Sequence, residues 1–134
     1  MLCWDIKTAL PGMALVITAD QTYAQPKLDW LLGEYAEWFK ASRWKLGLDK
    51  WQRRHDCDDF ARAYAQGCSD AWALTEEGKS EGLAVGEFFY HSVNGPHAIV
   101  CAFTPEGRVF IEPQTCKLLN LSEKEINSCW YARF

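Results

Sequence analysis

His55-Asp56-Cys57-Asp58-Asp59-Phe60-Ala61 opens a helical stretch of this chain. Asp56 is a good N-cap, because its side chain can accept from the free amides of a first helical turn. From there Cys57, Phe60, Ala61, Tyr64, Cys68, Ala71 and Trp72 fall on one face, at offsets of 3, 4, 7, 11, 14 and 15 from Cys57. The spacing predicts a helix with Cys57 in its first turn, at the head of the stripe that faces the core. A helix N-terminus favours a thiolate. Asp56, Asp58 and Asp59 act the other way and raise the pKa of the thiol. Either Cys57 is a structural cysteine, or a positive charge sits among those carboxylates. Arg62 lies on the flank of the helix, within helical reach of Asp58 and Asp59.

Upstream of this helix, Ala14-Leu15-Val16-Ile17-Thr18 is a short β-rich run between Pro11-Gly12 and Asp20-Gln21. Pro26 reads as the first residue of a second helix running to about Trp44, with Leu28, Leu31, Leu32, Tyr35, Trp38 and Phe39 as its apolar stripe. Gly47 to Arg54 is a connection, and Thr75 to Gly82 a polar loop. Downstream, Leu83 to Ser92, His97 to Phe103 and Arg108 to Pro113 are apolar, aromatic or β-branched runs. Asn94-Gly95-Pro96 and Thr104-Pro105-Glu106-Gly107 separate them as turns, which predicts consecutive antiparallel strands. Leu118 to Leu121 adds a short strand. Ser122 and Glu125 have the spacing of a capping box, and Cys129 to Phe134 closes the chain as a strand. Helices first and strands afterwards indicate α+β.

The bulk numbers agree with one domain over 1–134. The 134 residues suffice for one core, and a composition 49% hydrophobic with seven Trp excludes disorder. A formal charge of −4 without a basic run argues against nucleic acid as a partner. No apolar run is long enough for a membrane span. Met1-Leu2-Cys3-Trp4-Asp5 lacks a basic leader, so the six cysteines, with no Cys-x-x-Cys among them, read as free thiols in a cytoplasmic protein. The oligomeric state is open.

His97 opens a strand, and a strand-borne histidine facing a helix N-terminal cysteine is what a thiol–imidazole pair needs. A third group must hold the other ring nitrogen. Glu112, in Ile111-Glu112-Pro113-Gln114, interrupts an apolar stretch and is the best-placed acid. His55 and His91 read as a loop residue and a strand residue with local roles.

The order Cys57, His97, Glu112 resembles papain-like cysteine peptidases and their transglutaminase-like relatives. His-Asp-Cys-Asp-Asp-Phe-Ala, Pro-His-Ala and Ile-Glu-Pro-Gln are similar to motifs of the C-terminal peptidase domain of a mushroom agglutinin (a chimerolectin) and its small phage-type relatives, over about residues 55 to 115. The resemblance implies a papain-like fold, a helical first half packed on an antiparallel sheet. It implies a divalent-metal-dependent cysteine peptidase acting on a peptide or protein through a thioester. Cys57 would be the nucleophile, His97 the base and Glu112 the orienting group. Asp58, Asp59 and Gln114 would bind the activating calcium or manganese, whose charge would offset the carboxylates around the thiol. Gln52, five residues before Cys57, is a weak match to the glutamine that such enzymes use in the oxyanion hole. The alternatives are a non-catalytic binding module on a peptidase fold and a transglutaminase-like acyl transferase.

Overall fold

The computed structural model describes residues 1–134. In chain order the elements are α1 (Cys3–Ala9), β1 (Leu15–Ile17), β2 (Tyr23–Ala24), α2 (Leu28–Leu32), α3 (Glu34–Lys45), α4 (Cys57–Ala73), β3 (Gly82–Leu83), β4 (Val85–Ser92), β5 (Gly95–Thr104), β6 (Gly107–Glu112), β7 (Lys117–Leu119), α5 (Glu123–Asn127) and β8 (Tyr131–Arg133). A six-stranded sheet runs in the order β1-β8-β4-β5-β6-β7, and β2 and β3 form a separate pair.

The strand run from β4 to β6 is the antiparallel meander that the turns predict. β4 pairs with β5 from Val85 opposite Ala102 to Ser92 opposite Gly95, and β5 pairs with β6 from Val100 opposite Ile111. The expected architecture as a whole is corrected, however. The first half is not purely helical, since it contributes β1 and β2. Both pair in parallel with strands from the second half: Leu15 lies opposite Tyr131, and Tyr23 opposite Gly82. The sheet is therefore mixed rather than antiparallel. The backbone groups of β1 can be satisfied only by a partner far away in sequence, and local periodicity carries no trace of it.

Two cores lie on opposite faces of the sheet. On one, Leu31, Tyr35, Phe39, Ala61, Tyr64 and Cys68 of α2, α3 and α4 meet Val85, Ala98, Val100, Ala102 and Ile111. On the other, Ile6 and Leu10 join Phe88, Tyr90, Ile99, Cys101, Phe103 and Phe110, with Ile126 of α5 alongside. Strand alternation explains the division, because odd and even positions of β5 serve different cores. Ala98 to Thr104 is buried at every position, which is why that strand reads as an unbroken apolar run.

The helix expected from Pro26 to Trp44 is two helices. The chain breaks at Gly33, whose amide donates to the carbonyl of Asp29 at 2.9 Å. A Cβ at Gly33 would sit 2.7 Å from that oxygen, so glycine permits the close turn. Leu31, Tyr35, Ala36 and Phe39 form the buried face, and Trp38, expected within it, is 56% exposed. α1 has no counterpart among the sequence expectations. It is seven residues long and Ile6 is its one buried residue, so its periodic signal is slight. The Ser122–Glu125 capping box forms as expected, with the Glu125 amide donating to Ser122 Oγ and the Ser122 amide to Glu125 Oε1, both at 3.1 Å.

Candidate functional site

Cys57 is the first residue of α4, with Asp56 as N-cap. The Asp56 amide donates to Asp59 Oδ2 at 3.2 Å, which ties the start of the helix. Cys57 is partly buried and packs against the core on the helical face of the sheet. Burial pushes its thiol above the ordinary range. The Ala98 amide opposes that rise, while the carboxylates of Asp56 and Asp58 add to it. The conflict visible in the heptapeptide is thus real, and desolvation is its largest part.

Arg62 lies among the carboxylates. One guanidinium nitrogen lies 3.3 Å from Asp58 Oδ2, a second 3.3 Å from Asp59 Oδ1, and Nε 3.5 Å from Glu87 Oε1. Asp56 and Asp58 also lie against each other. Their contact raises the Asp56 carboxyl above the usual range, and with Cys57 they place three ligand-type atoms within 4.8 Å of one another. Asp58→Asn removes one of the charges that raise the Cys57 thiol. The pH profile of Cys57 alkylation should therefore move to lower pH. An unchanged or upward-shifted profile would show that Asp58 does not act on the thiol.

His97 and Glu112 are brought together: His97 Nε2 lies 2.8 Å from Glu112 Oε2. Strand pairing accounts for this, since Val100 lies opposite Ile111 and so sets the adjoining ends of β5 and β6 side by side. A tight turn holds Glu112 from behind. The Cys116 amide donates to the Glu112 carbonyl at 2.7 Å, with Cys116 in the left-handed region at φ 56°. The Gln114 amide donates to Glu112 Oε1 at 3.2 Å. Both carboxylate oxygens are therefore engaged, and one side of the imidazole is fixed. Cys57 lies by Ala98, the next residue after His97, without a hydrogen bond between its sulfur and the imidazole.

Of the three residues expected at a metal, Asp58 and Asp59 share Arg62. The Gln114 side lines a cavity with Phe39, Arg43, Trp44 and Phe60. The donors are hard oxygens of the kind that calcium takes. A cation at Asp58 and Asp59 would have to displace or join the guanidinium already there. The Gln52 side chain donates to the Gly47 carbonyl at 3.3 Å in an exposed loop. The imidazole of His55 packs edge-on to Phe60 with centroids 4.7 Å apart, and that of His91 against Trp130 at 4.6 Å. Glu87 is the residue that sequence reading passed over. Its signal is a lone carboxylate inside the apolar run Val85-Gly86-Glu87-Phe88-Phe89.

No family model and no curated protein matches the chain. Solved structures do. PSL1a in complex with E64 is 20% identical with a TM-score of 0.70, the match covering 94% of this chain and 44% of that one. Polyporus squamosus lectin bound to the human-type influenza-binding epitope Neu5Aca2-6Galb1-4GlcNAc is 19% identical with a TM-score of 0.63, covering 90% of this chain and 42% of that one. The chain thus spans less than half the length of the structures it matches, and at this identity the likeness is one of fold. The structures that share this fold are described as PSL1a and as a lectin, and neither description is of a papain-like peptidase. They correct the identification with papain-like cysteine peptidases and the papain-like fold class. The metal-dependent peptidase activity, the enzyme assignment, the peptide substrate and the phage origin drawn from that identification fall with it. The identification rested on three short motifs in order, and such motifs mark a local arrangement without fixing the family of the whole chain. No helix of the structure is long and apolar enough to cross a membrane.

Proposed function

We propose that Cys57, His97 and Glu112 form a nucleophilic thiol centre that captures a small ligand through an electrophilic carbon. The observation that carries this reading is the 2.8 Å contact between His97 Nε2 and Glu112 Oε2. It leaves the other ring nitrogen free to take a proton while the carboxylate holds the ring. Cys57 passes its proton to His97 and its sulfur bonds the carbon as a carbon–oxygen bond of the ligand breaks, the oxygen keeping that electron pair and taking the proton from the imidazolium. Glu112 is a positioning residue. A thiol raised by burial and by carboxylates is mostly protonated near neutral pH, so it needs that base. The reading assigns ligand capture and no peptide cleavage.

Limited alkylation with iodoacetamide followed by peptide mapping tests it. Cys68, Cys101, Cys116 and Cys129 are buried, so Cys3 and Cys57 are the thiols within reach of reagent. Both open a helix, which makes Cys3 an internal control. Cys57 should be modified first and by a wide margin. Equal rates at the two sites would overturn the proposal. Calcium or manganese at Asp58, Asp59 and Gln114 is a further part of the reading, supported by the oxygen donors and by the carboxylates crowded around Arg62. Either ion should speed alkylation of Cys57 relative to a chelator. We also place the chain in a reducing, cytoplasmic setting, on the strength of six cysteines without a Cys-x-x-Cys pair.

A second reading, glycan binding, draws on the description of the Polyporus squamosus lectin as bound to a sialylated trisaccharide epitope. Calorimetric titration of this chain with that trisaccharide and its component sugars tests it, and heats indistinguishable from dilution would set it aside.

A further inference from the structure

One cavity against α4 opens beside Glu87, and there the buried carboxylate is already paired with Arg62 at 3.5 Å. A second, with a volume of about 280 Å³, lies between α3, the start of α4 and the turn after β6. It falls just below the range of sites for drug-sized ligands, so its occupant is a smaller molecule. Lys40 and Arg43 stand about one turn apart on α3, and both line it. Neither is paired with a carboxylate, the ion pairs of the chain being those of Arg62, Lys79 and His97. Arg43 is the telling residue. Its guanidinium lies over the Phe39 ring, with Cζ 5.5 Å from the centroid, and its Nε is buried without an acceptor. A partly buried cation with no counter-charge is costly, and an anion seated beside it offsets that cost.

The rest of the lining narrows the ligand. Asp49 is the one carboxylate in it, so the two cations and Asp49 leave a single positive charge. A monoanion matches that charge, whereas a phosphate dianion would leave a negative charge uncompensated. The planar fork of a guanidinium takes a carboxylate through two parallel hydrogen bonds. Gln114 brings a further side-chain N–H donor, its backbone amide being engaged with Glu112 Oε1. Phe39, Trp44 and Phe60 line the same space with three aromatic rings, apolar surface that a bare ion such as acetate would leave uncovered. A carboxylate carried on an aromatic ring satisfies the charge, the donors and the walls together.

We propose that this cavity binds a small aromatic carboxylate, with Arg43 and Lys40 taking the carboxylate and Phe39, Trp44 and Phe60 enclosing the ring. The site needs neither the reactivity of Cys57 nor a glycan. Hydrocinnamate is the probe, with hydrocinnamide, phenethylamine and phenyl phosphate as its neutral, cationic and dianionic counterparts. Amide and indole signals of the ¹⁵N-labelled chain would be followed during titration with each at millimolar concentration. Hydrocinnamate should shift the Phe39, Arg43 and Gln114 amides and the Trp44 indole saturably, while hydrocinnamide and phenethylamine should leave them in place. Arg43→Gln should weaken binding about tenfold, since it removes the charge-assisted hydrogen bonds. Lys40 is exposed, so Lys40→Gln leaves the fold intact, and it should weaken binding about threefold, as a charge partly screened by solvent does. Asp49→Asn removes the one like charge and should tighten binding by a similar factor. No saturable shift with hydrocinnamate, or shifts that map elsewhere, would overturn the proposal. So would hydrocinnamide or phenethylamine binding as tightly as the acid, or an affinity unchanged in both folded Arg43→Gln and Lys40→Gln. Tighter binding of phenyl phosphate than of hydrocinnamate would overturn the assignment to a carboxylate.

Discussion

His97→Ala should slow alkylation of Cys57 by about a hundredfold near pH 7.5, the lower end of what a positioned general base contributes. Alkylation of Cys3 should be unaffected. The expectation follows from two features that act together. Burial, with Asp56 and Asp58 beside it, raises the Cys57 thiol, so little thiolate exists at neutral pH without help. His97 is the basic group whose ring is held by Glu112, at the β5 end against which Cys57 packs. The sign with pH follows. Where the base acts, the wild-type rate is high already near neutrality. In His97→Ala, reaction waits for the thiolate and climbs through alkaline pH, so the two rates converge there. Glu112→Gln should fall between them, because the ring keeps a hydrogen-bond partner and loses its counter-charge. Equal rates for wild type and His97→Ala across pH 6 to 9 would mean that Cys57 is a structural thiol, the other reading that its helical stripe allows.

Tyr64→Ala should cost about 3–5 kcal/mol of stability, in the range of large aromatic truncations in a core. For a chain of this size that is a fall in Tm of roughly 10–20 °C. Tyr64 is fully buried at the centre of α4. Its ring meets Tyr35 edge-on at 4.9 Å and Phe39 at 5.1 Å, and its hydroxyl donates to the Leu31 carbonyl at 2.9 Å. The exchange is mutual, since the Tyr35 hydroxyl donates to the Tyr64 carbonyl at 2.6 Å. One side chain thus fastens α4 to both α2 and α3, and so fixes the helix that carries Cys57. Tyr64→Phe keeps the ring and leaves the Leu31 carbonyl without its donor, so it should cost about 1 kcal/mol. Thermal and urea unfolding measure both variants. A Tyr64→Ala midpoint within a few degrees of wild type would show that the three helices do not depend on this contact.

The candidate site was legible in unequal parts. Cys57 at a helix start, the stripe from Phe60 to Cys68, the Arg62 pairing and the His97–Glu112 partnership all rest on neighbours within a turn or on adjacent strands. Such contacts leave a periodic or punctuated trace in the chain. Glu87 left a weaker trace, one charge in an apolar strand, and its meaning needed Arg62 and Arg133 to be placed around it. Gly33 was legible only as a helical residue, because its role lies in how closely the backbone turns there.

By itself the sequence determined the α4 helix and its cap, the β4–β5–β6 meander, the final capping box and the order of Cys57, His97 and Glu112 along the chain. Each of these is set by periodicity, turn chemistry or spacing over a few residues. Only the tertiary structure decided that β1 lies parallel to β8, that α1 covers the second face, and that a cavity opens beside Glu87. These depend on pairing between segments up to the whole chain length apart, and the energy of such a pairing belongs to neither segment alone. The same limit applied to family. Three short motifs in order describe the surroundings of a thiol, whereas the fold, compared over nine-tenths of the chain or more, is like that of structures described as PSL1a and a lectin.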